Sequence, residues 1–206
     1  MIHIITFVLT LQICTDQIDD QSMKYVFYLH GKIVEDQGLA AYSDQHGKYQ
    51  YQAIINTLAA EGVKVLSEVR PKNTQIAAYA QKVADQITGL LRKGVAPDDI
   101  TVIGASKGAL IAMQISTLLK NKHLNYVFIA GSFDGVKQYY NFDLHGNILG
   151  FYEKSDPIAG QSYHSLIDGS HGVNKFKEVE LNTNLGHGIV FKPLKEWVEP
   201  TKAWIK

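Results

Sequence analysis

The chain is short of the features that most readily announce a function. It has a single cysteine, Cys14, in 206 residues, which excludes an internal disulfide framework and a cysteine-based zinc site. It has no charge of one sign to spare. Twenty basic residues balance twenty acidic ones, so no net field draws it to nucleic acid or to an anionic membrane. It has no internal repeat, no low-complexity tract and no block of like charge. Nor has it an apolar run of the roughly 20 residues that span a bilayer.

One shorter apolar run does open the chain. "MIHIITFVLTLQIC" covers 14 residues and precedes the polar "TDQIDDQSMK". It has the size of a signal-peptide core, so residues 1–14 are expected to direct export, to the periplasm or the medium. Without such a signal the chain would be cytoplasmic. The segment has no Lys or Arg ahead of its apolar core, and Gln12-Ile13 is poor for cleavage, so an extra N-terminal strand is the competing reading. Residues 15–206 are expected to form a single domain, since domains commonly hold about 100–200 residues. Hydrophobic residues at 46% and charged ones at 19% are enough to build a core. The sequence carries no sign of oligomeric state.

What is present is an alternation. "KYVFYLHG", "VKVLSEVR", "ITVIG", "NYVFIAG", "GNILGFYE" and "FKEVELN" read as β-branched and aromatic strands. Between them lie helical stretches. "KYQYQAIINTLAAEG" is expected to be stopped by Gly62. In the next, Ile76, Ala80, Val83, Ile87 and Leu90 are spaced 4, 3, 4, 3 and share one face, with Gly94 at the end. "KGALIAMQISTLLK" is the third, and "KPLKEWVEPTKAWIK" a last one, expected to break near Pro200. There Leu194, Trp197, Val198 and Trp204 are spaced for core packing. Such alternation predicts an α/β fold, a mostly parallel sheet with helices on both faces. Ligands of these sheets bind beyond the carboxyl ends of the strands.

Those ends carry a chemical set. His30-Gly31-Lys32 follows the first strand. Ser106 stands in Gly104-Ala-Ser106-Lys-Gly108, a G-x-S-x-G stretch between a strand and a helix. Asp156 follows "NILGFYE", and His187 lies between glycines after the last strand. A serine hydroxyl becomes an effective nucleophile when an imidazole takes its proton, and a carboxylate fixes the tautomer of that imidazole. Gly104 and Gly108 would let strand and helix approach closely around the serine. His171, in "GSHGV", is the nearest rival to His187. It precedes the last strand, so it is expected at the opposite end of the sheet.

On these residues, from about Lys24 to Lys206, the chain resembles a small α/β-hydrolase of the serine esterase or dienelactone-hydrolase-like kind, with triad order Ser, Asp, His. The resemblance implies a serine hydrolase acting on a small ester or related acyl substrate, with Ser106 as nucleophile, His187 as base and Asp156 as its orienting acid. It implies oxyanion donors at the backbone N–H of Lys107 and of Lys32, His30 as a structural hydrogen-bonder beside Gly31, and neither cofactor nor metal. The linker "SFDGVKQYYNFDLH" is too short for the helical lid this fold often carries. Its Tyr139, Tyr140 and Phe142 are expected either to line a pocket or to pack. The side chains of Lys32 and Lys107 are expected to face solvent.

Two other readings remain open. "VIGASKG" resembles the glycine-rich turn of short-chain dehydrogenases, though Leu110 stands where that family has its third glycine. A Tyr-x-x-x-Lys pair exists at Tyr28 and Lys32, but no acidic residue lies about 20 positions past the turn to hold a ribose. The third reading is an inactive hydrolase fold serving as a binding module.

Overall fold

The structure is a computed structural model that describes residues 23–205; the signal-like segment, residues 1–14, lies outside them. In chain order the elements are β1 (Lys24–Leu29), α1 (Lys32–Gln37), β2 (Tyr42–Ser43), β3 (Gly47–Lys48), α2 (Tyr51–Leu58), β4 (Val63–Leu66) and α3 (Ile76–Arg92). Then come β5 (Ile100–Ala105), α4 (Lys107–Leu119), β6 (Asn125–Ile129), α5 (Val136–Tyr139), β7 (His145–Glu153), α6 (His164–Asp168), β8 (Gly172–Leu181) and α7 (Lys195–Ile205).

Six strands form one sheet in the order β4-β1-β5-β6-β7-β8, and every adjacent pair is parallel. Side chains alternate across a strand, and the core divides accordingly. Val26 and Tyr28 of β1 join α1, α2 and α7 on one face, while Phe27 and Leu29 join α3 and α4 on the other. The parallel α/β sheet with both faces covered, expected from the alternation, is what the chain adopts.

The strand order places the site. From β1 the chain moves outward to β4, then returns to β5 on the other side of β1. The segments leaving β1 and β5 therefore depart to opposite faces, with α1 packed on one and α4 on the other. That divergence opens a crevice at the carboxyl ends of the two strands, where such sheets bind ligands. Leu29 pairs with Gly104 at the rim, so His30-Gly31 and Ser106 emerge side by side.

Several boundaries differ from the sequence expectations. α2 stops at Leu58 rather than at Gly62, because Ala59 is already extended and Ala60 bridges Val63. Gly62, at φ 72°, instead turns the chain into β4. β4 spans only Val63–Leu66 of the expected "VKVLSEVR"; an edge strand has one hydrogen-bonded neighbour to extend it. β8 starts earlier than "FKEVELN", at Gly172, because it pairs with β7 from His145 onward. Its polar start has no apolar signature, since an edge strand exposes one side. α7 runs through Pro200 without a break. Proline there forgoes one helical hydrogen bond, but Trp197, Val198 and Ile205 on either side are buried against the sheet and hold the helix in one piece. α3 ends as expected, with Gly94 at φ 89° just past its last turn.

Candidate active site

β5 delivers Ser106 on a turn with φ 54° and ψ −120°. Non-glycine residues avoid this region at a cost of about 1–3 kcal/mol, so surrounding contacts must impose it. The Ser106 N–H donates to Ile129 O at 2.8 Å, and Ser106 O accepts from Ala109 N–H at 2.8 Å. The flanking glycines are required sterically. A Cβ on Gly104 would lie 2.3 Å from Gly108 O, and one on Gly108 only 1.9 Å from Leu29 O. Ala130, after the neighbouring β6, is also at positive φ, 49°.

The three candidate groups converge. His187 Nε2 lies 2.8 Å from Ser106 Oγ, and its Nδ1 lies 2.7 Å from Asp156 Oδ2. A carboxylate only accepts, so Nδ1–H donates to Asp156 and Nε2 accepts from the Ser106 hydroxyl. The Asp156 side chain is fully buried, and His187 is 12% exposed. Burial by itself raises the Asp156 pKa, but hydrogen bonds from His187 and from the N–H groups of Ile158 and Ala159 outweigh it. The net shift is below the ordinary aspartate value, so Asp156 stays ionised at neutral pH. His171 lies before β8, exposed and paired with Asp143, at the far end of the sheet as expected.

A second carboxylate, missed in the sequence, fixes the loops that carry Asp156 and His187. Buried Glu153 ends β7. Its Oε2 accepts from Thr183 N–H and Oγ1–H at 2.8 and 2.7 Å, and its Oε1 accepts from Ser155 Oγ–H at 2.8 Å. Ser155 Oγ in turn accepts from Gly186 N–H. The only signal for it was a charged residue closing an apolar strand.

On the other side of the serine, Lys32 opens α1 and Lys107 opens α4. The N–H of a first helical residue has no carbonyl partner in its own helix, and among the described residues neither of these two N–H groups has a backbone acceptor elsewhere. Gly31 lies against the serine, its Cβ position 3.6 Å from that of Ser106. The lysine side chains behave differently from each other. Lys32 is exposed and paired with Asp36 at 2.7 Å. Lys107 corrects the expectation of a solvent-facing lysine. Its Nζ turns inward to Glu35 Oε1 and Thr74 O, both at 2.7 Å, because a buried carboxylate waits there. The Tyr28–Lys32 pair of the dehydrogenase reading is not assembled. Tyr28 buries its hydroxyl against that of Tyr49 at 2.7 Å.

His30 is held by two hydrogen bonds next to Gly31. Its Nδ1–H donates to Gly31 O at 2.8 Å and its Nε2 accepts from Arg70 N–H at 3.0 Å, which requires the neutral ring. Burial, and then the Arg70 charge, lower its pKa to about 4. An unfolded histidine titrates near 6.5, so between these values the unfolded chain binds a proton that the folded one refuses. Stability from this group is complete above about pH 6.5 and lost as pH falls toward 4, by at most about 3 kcal/mol. In His30→Gln the protein should be less stable than wild type at pH 7.5, with the gap narrowing by about 2 kcal/mol at pH 4.5. Urea unfolding at the two pH values measures it, and an unchanged gap would refute the assignment.

A cleft of about 330 Å³ adjoins the serine, lined by Ile76, Leu110, Phe133, Tyr140, Ile158 and Ala159 beside Ser106 and His187. Of the three linker aromatics, Tyr140 lines this cleft, Phe142 packs in the core, and Tyr139 is exposed. Phe133 also lines the cleft, although nothing in its local sequence marks it apart from the other aromatics. The linker holds one helix, α5, of four residues, and it forms no lid. Among the described residues, no group of three or more His, Cys, Asp or Glu is placed to hold a metal ion. None of their helices is long and apolar enough to cross a membrane.

No protein-family model matches the chain, and no curated protein matches it in sequence. Solved structures do. SOBER1 of Arabidopsis thaliana superposes with a TM-score of 0.58 at 13% identity, over 88% of this chain and 97% of that one. A lipase-esterase related protein from Clostridium acetobutylicum gives 0.57 at 14% identity, over 90% and 96%. The RedJ thioesterase from the prodiginine pathway of Streptomyces coelicolor gives 0.55 at 14%, over 88% and 85%. With a six-stranded parallel sheet covered on both faces and a serine elbow after β5, the chain has the α/β-hydrolase fold.

Proposed function

We propose that the protein is a serine hydrolase that cleaves a carboxylic ester, or a related acyl bond, of a small substrate through an acyl-enzyme. The observation that carries this reading is the continuous hydrogen-bonded chain from Ser106 through His187 to Asp156. In this mechanism Ser106 Oγ attacks the acyl carbon as His187 Nε2 takes its proton. Asp156 stabilises the resulting imidazolium and holds the ring orientation. The carbonyl oxygen, now negative, is met by the N–H groups of Lys107 and Lys32, each of which is worth about 10²–10³ in rate if it acts as oxyanion donors do elsewhere. Collapse expels the alcohol, which takes the proton from His187. Water then enters, is deprotonated by the same nitrogen and releases the acid. Three strand ends thus supply the whole proton path, with neither metal nor cofactor in any step.

Turnover of p-nitrophenyl butyrate, together with covalent labelling by a fluorophosphonate mapped to Ser106, tests the reading. A folded protein with neither would refute it.

The cleft also predicts a substrate size. Its apolar lining favours an acyl group, but the volume of about 330 Å³ and the exposed Ile158 at its edge limit what it covers. Each buried methylene contributes about 0.8 kcal/mol, a gain that ends where the chain leaves the cleft. kcat/KM should therefore rise about three- to fourfold for each methylene from acetate toward hexanoate and gain nothing further on to palmitate. With no lid in the linker, emulsified substrate should bring no activation. A strong preference for emulsified long-chain triglyceride would contradict both expectations.

A further inference from the structure

Beneath the oxyanion loop lies a buried ionic cluster that the proton path above does not use. Glu35, on α1, has a fully buried side chain. Its Oε1 accepts from Lys107 Nζ at 2.7 Å and from Thr74 N–H at 3.1 Å, and its Oε2 accepts from Arg70 Nε at 3.4 Å. Arg70 continues the connection, donating Nη2–H to His30 O and its backbone N–H to His30 Nε2. One carboxylate thereby joins α1, the loop after β4, the end of β1 and the first turn of α4.

Stability alone is a weak reason for such a cluster. Removing each ion from water costs several kcal/mol, and well-packed apolar residues are often as stable. Arg70 Nη1, moreover, is buried with no hydrogen-bond partner among the described residues, a further cost. What the cluster does supply is position. Lys32 is the first residue of α1, and Glu35 lies on the same short helix. Lys107 is the first residue of α4, and its side chain ends on Glu35. The backbone N–H groups of Lys32 and Lys107 are the two oxyanion donors of the mechanism. They come from segments far apart in the chain, and the Glu35 carboxylate ties one to the other.

We propose that Glu35 is a positioning residue for the oxyanion hole, holding the N–H groups of Lys32 and Lys107 at the separation that one tetrahedral oxygen requires. The proposal rests on the serine-hydrolase reading. Arg70 anchors the far side of the same clamp by gripping the His30 carbonyl. A misplaced donor pair matters most once charge has developed on the oxygen, so its loss falls on the transition state rather than on substrate binding.

Glu35→Gln keeps the shape but removes the charge that binds Lys107 and Arg70. Lys107→Met cuts the tie from the other end while leaving the Lys107 backbone donor in place. Each should lower kcat by about 30-fold, less than deletion of a donor but within the cost of a 1 Å displacement. KM for p-nitrophenyl butyrate should stay within about threefold. Binding of phenylboronic acid, whose tetrahedral adduct occupies the same hole, should weaken in parallel with kcat, and the double variant should be little worse than either single one. A merely structural role would leave boronate affinity unchanged in the folded fraction. If Glu35→Gln does not fold, Lys107→Met carries the test alone. Folded variants with kcat within threefold of wild type, or a loss confined to KM, would overturn the proposal. Fluorophosphonate labelling of wild-type Ser106 separates the two levels. No label on a folded wild type overturns both, whereas full label with unaffected variants overturns only the role of Glu35.

Discussion

Ser106→Ala and His187→Ala are each expected to remove nearly all ester turnover, by about 10⁴–10⁶-fold, and the double variant to lose little more. The two side chains share one proton path, Ser106 Oγ to His187 Nε2 at 2.8 Å, and either loss already breaks it. Asp156→Asn should cost less, about 10⁴-fold, since the imidazole remains although its preferred tautomer is lost. Asp156 is buried and also accepts from Ile158 N–H at 2.8 Å, so the amide can keep part of the loop intact. His171→Ala is the control. It lies exposed at the opposite end of the sheet and should stay within a few-fold of wild type. Unfolding curves for each variant separate a dead site from a misfolded chain. A folded Ser106→Ala protein with full esterase activity would end the hydrolase reading. An inactive, folded His171→Ala beside an active His187→Ala would move the base.

Gly108→Ala should be among the most damaging single substitutions for stability, although it places a better helix former in α4. The intrinsic gain of alanine over glycine in a helix is about 1 kcal/mol. Against it stands a Cβ 1.9 Å from Leu29 O and 2.8 Å from His30 O, backbone atoms at and just past the end of β1 that cannot move aside without pulling the strand from its neighbours. The clash wins. A loss of at least about 3 kcal/mol is expected, and any folded fraction should be poorly active because His30-Gly31 is displaced. The same change at Gly89 should have the opposite sign. That glycine lies inside α3 with nothing within 4 Å of its Cβ position, so Gly89→Ala should stabilise by about 0.5–1 kcal/mol. Urea midpoints of the two variants decide the matter, and a Gly108→Ala protein as stable as wild type would mean that β1 and α4 are not packed as described.

Much of this molecule was legible one segment at a time. Alternating strand and helix patterns are local, because hydrophobic periodicity reports which face of each element is buried. The 4, 3, 4, 3 spacing from Ile76 to Leu90 therefore located α3, and Gly94 its end. The glycines around Ser106 were legible for the same reason, since close backbone approach admits no other residue at Gly104 and Gly108. Asp156 and His187 could be singled out because chemistry in a parallel sheet gathers just past the strands, and strand ends are visible in sequence. Edges were harder. The polar start of β8 and the short β4 carry no buried stripe on one side, so their limits depend on what they pair with.

The sequence by itself determined the class of fold, the order of the six sheet strands and the four longer helices, and which candidate residues stand just past the strand ends; the short α1, α5 and α6 and the β2–β3 hairpin carry too few residues to show a period. Only the tertiary structure decided their relations: the strand order that opens a crevice between β1 and β5, the continuity of α7 through Pro200, and the inward turn of Lys107 toward Glu35. His187 and Ser106 are 81 residues apart, Glu35 and Arg70 35 apart. Propensity and periodicity act over a few residues and say nothing across such distances. A lysine after a serine looks the same whether water or a buried carboxylate will receive it. That choice is made when segments from both faces of the sheet pack together, and a buried charge must then find the partner that makes its burial tolerable.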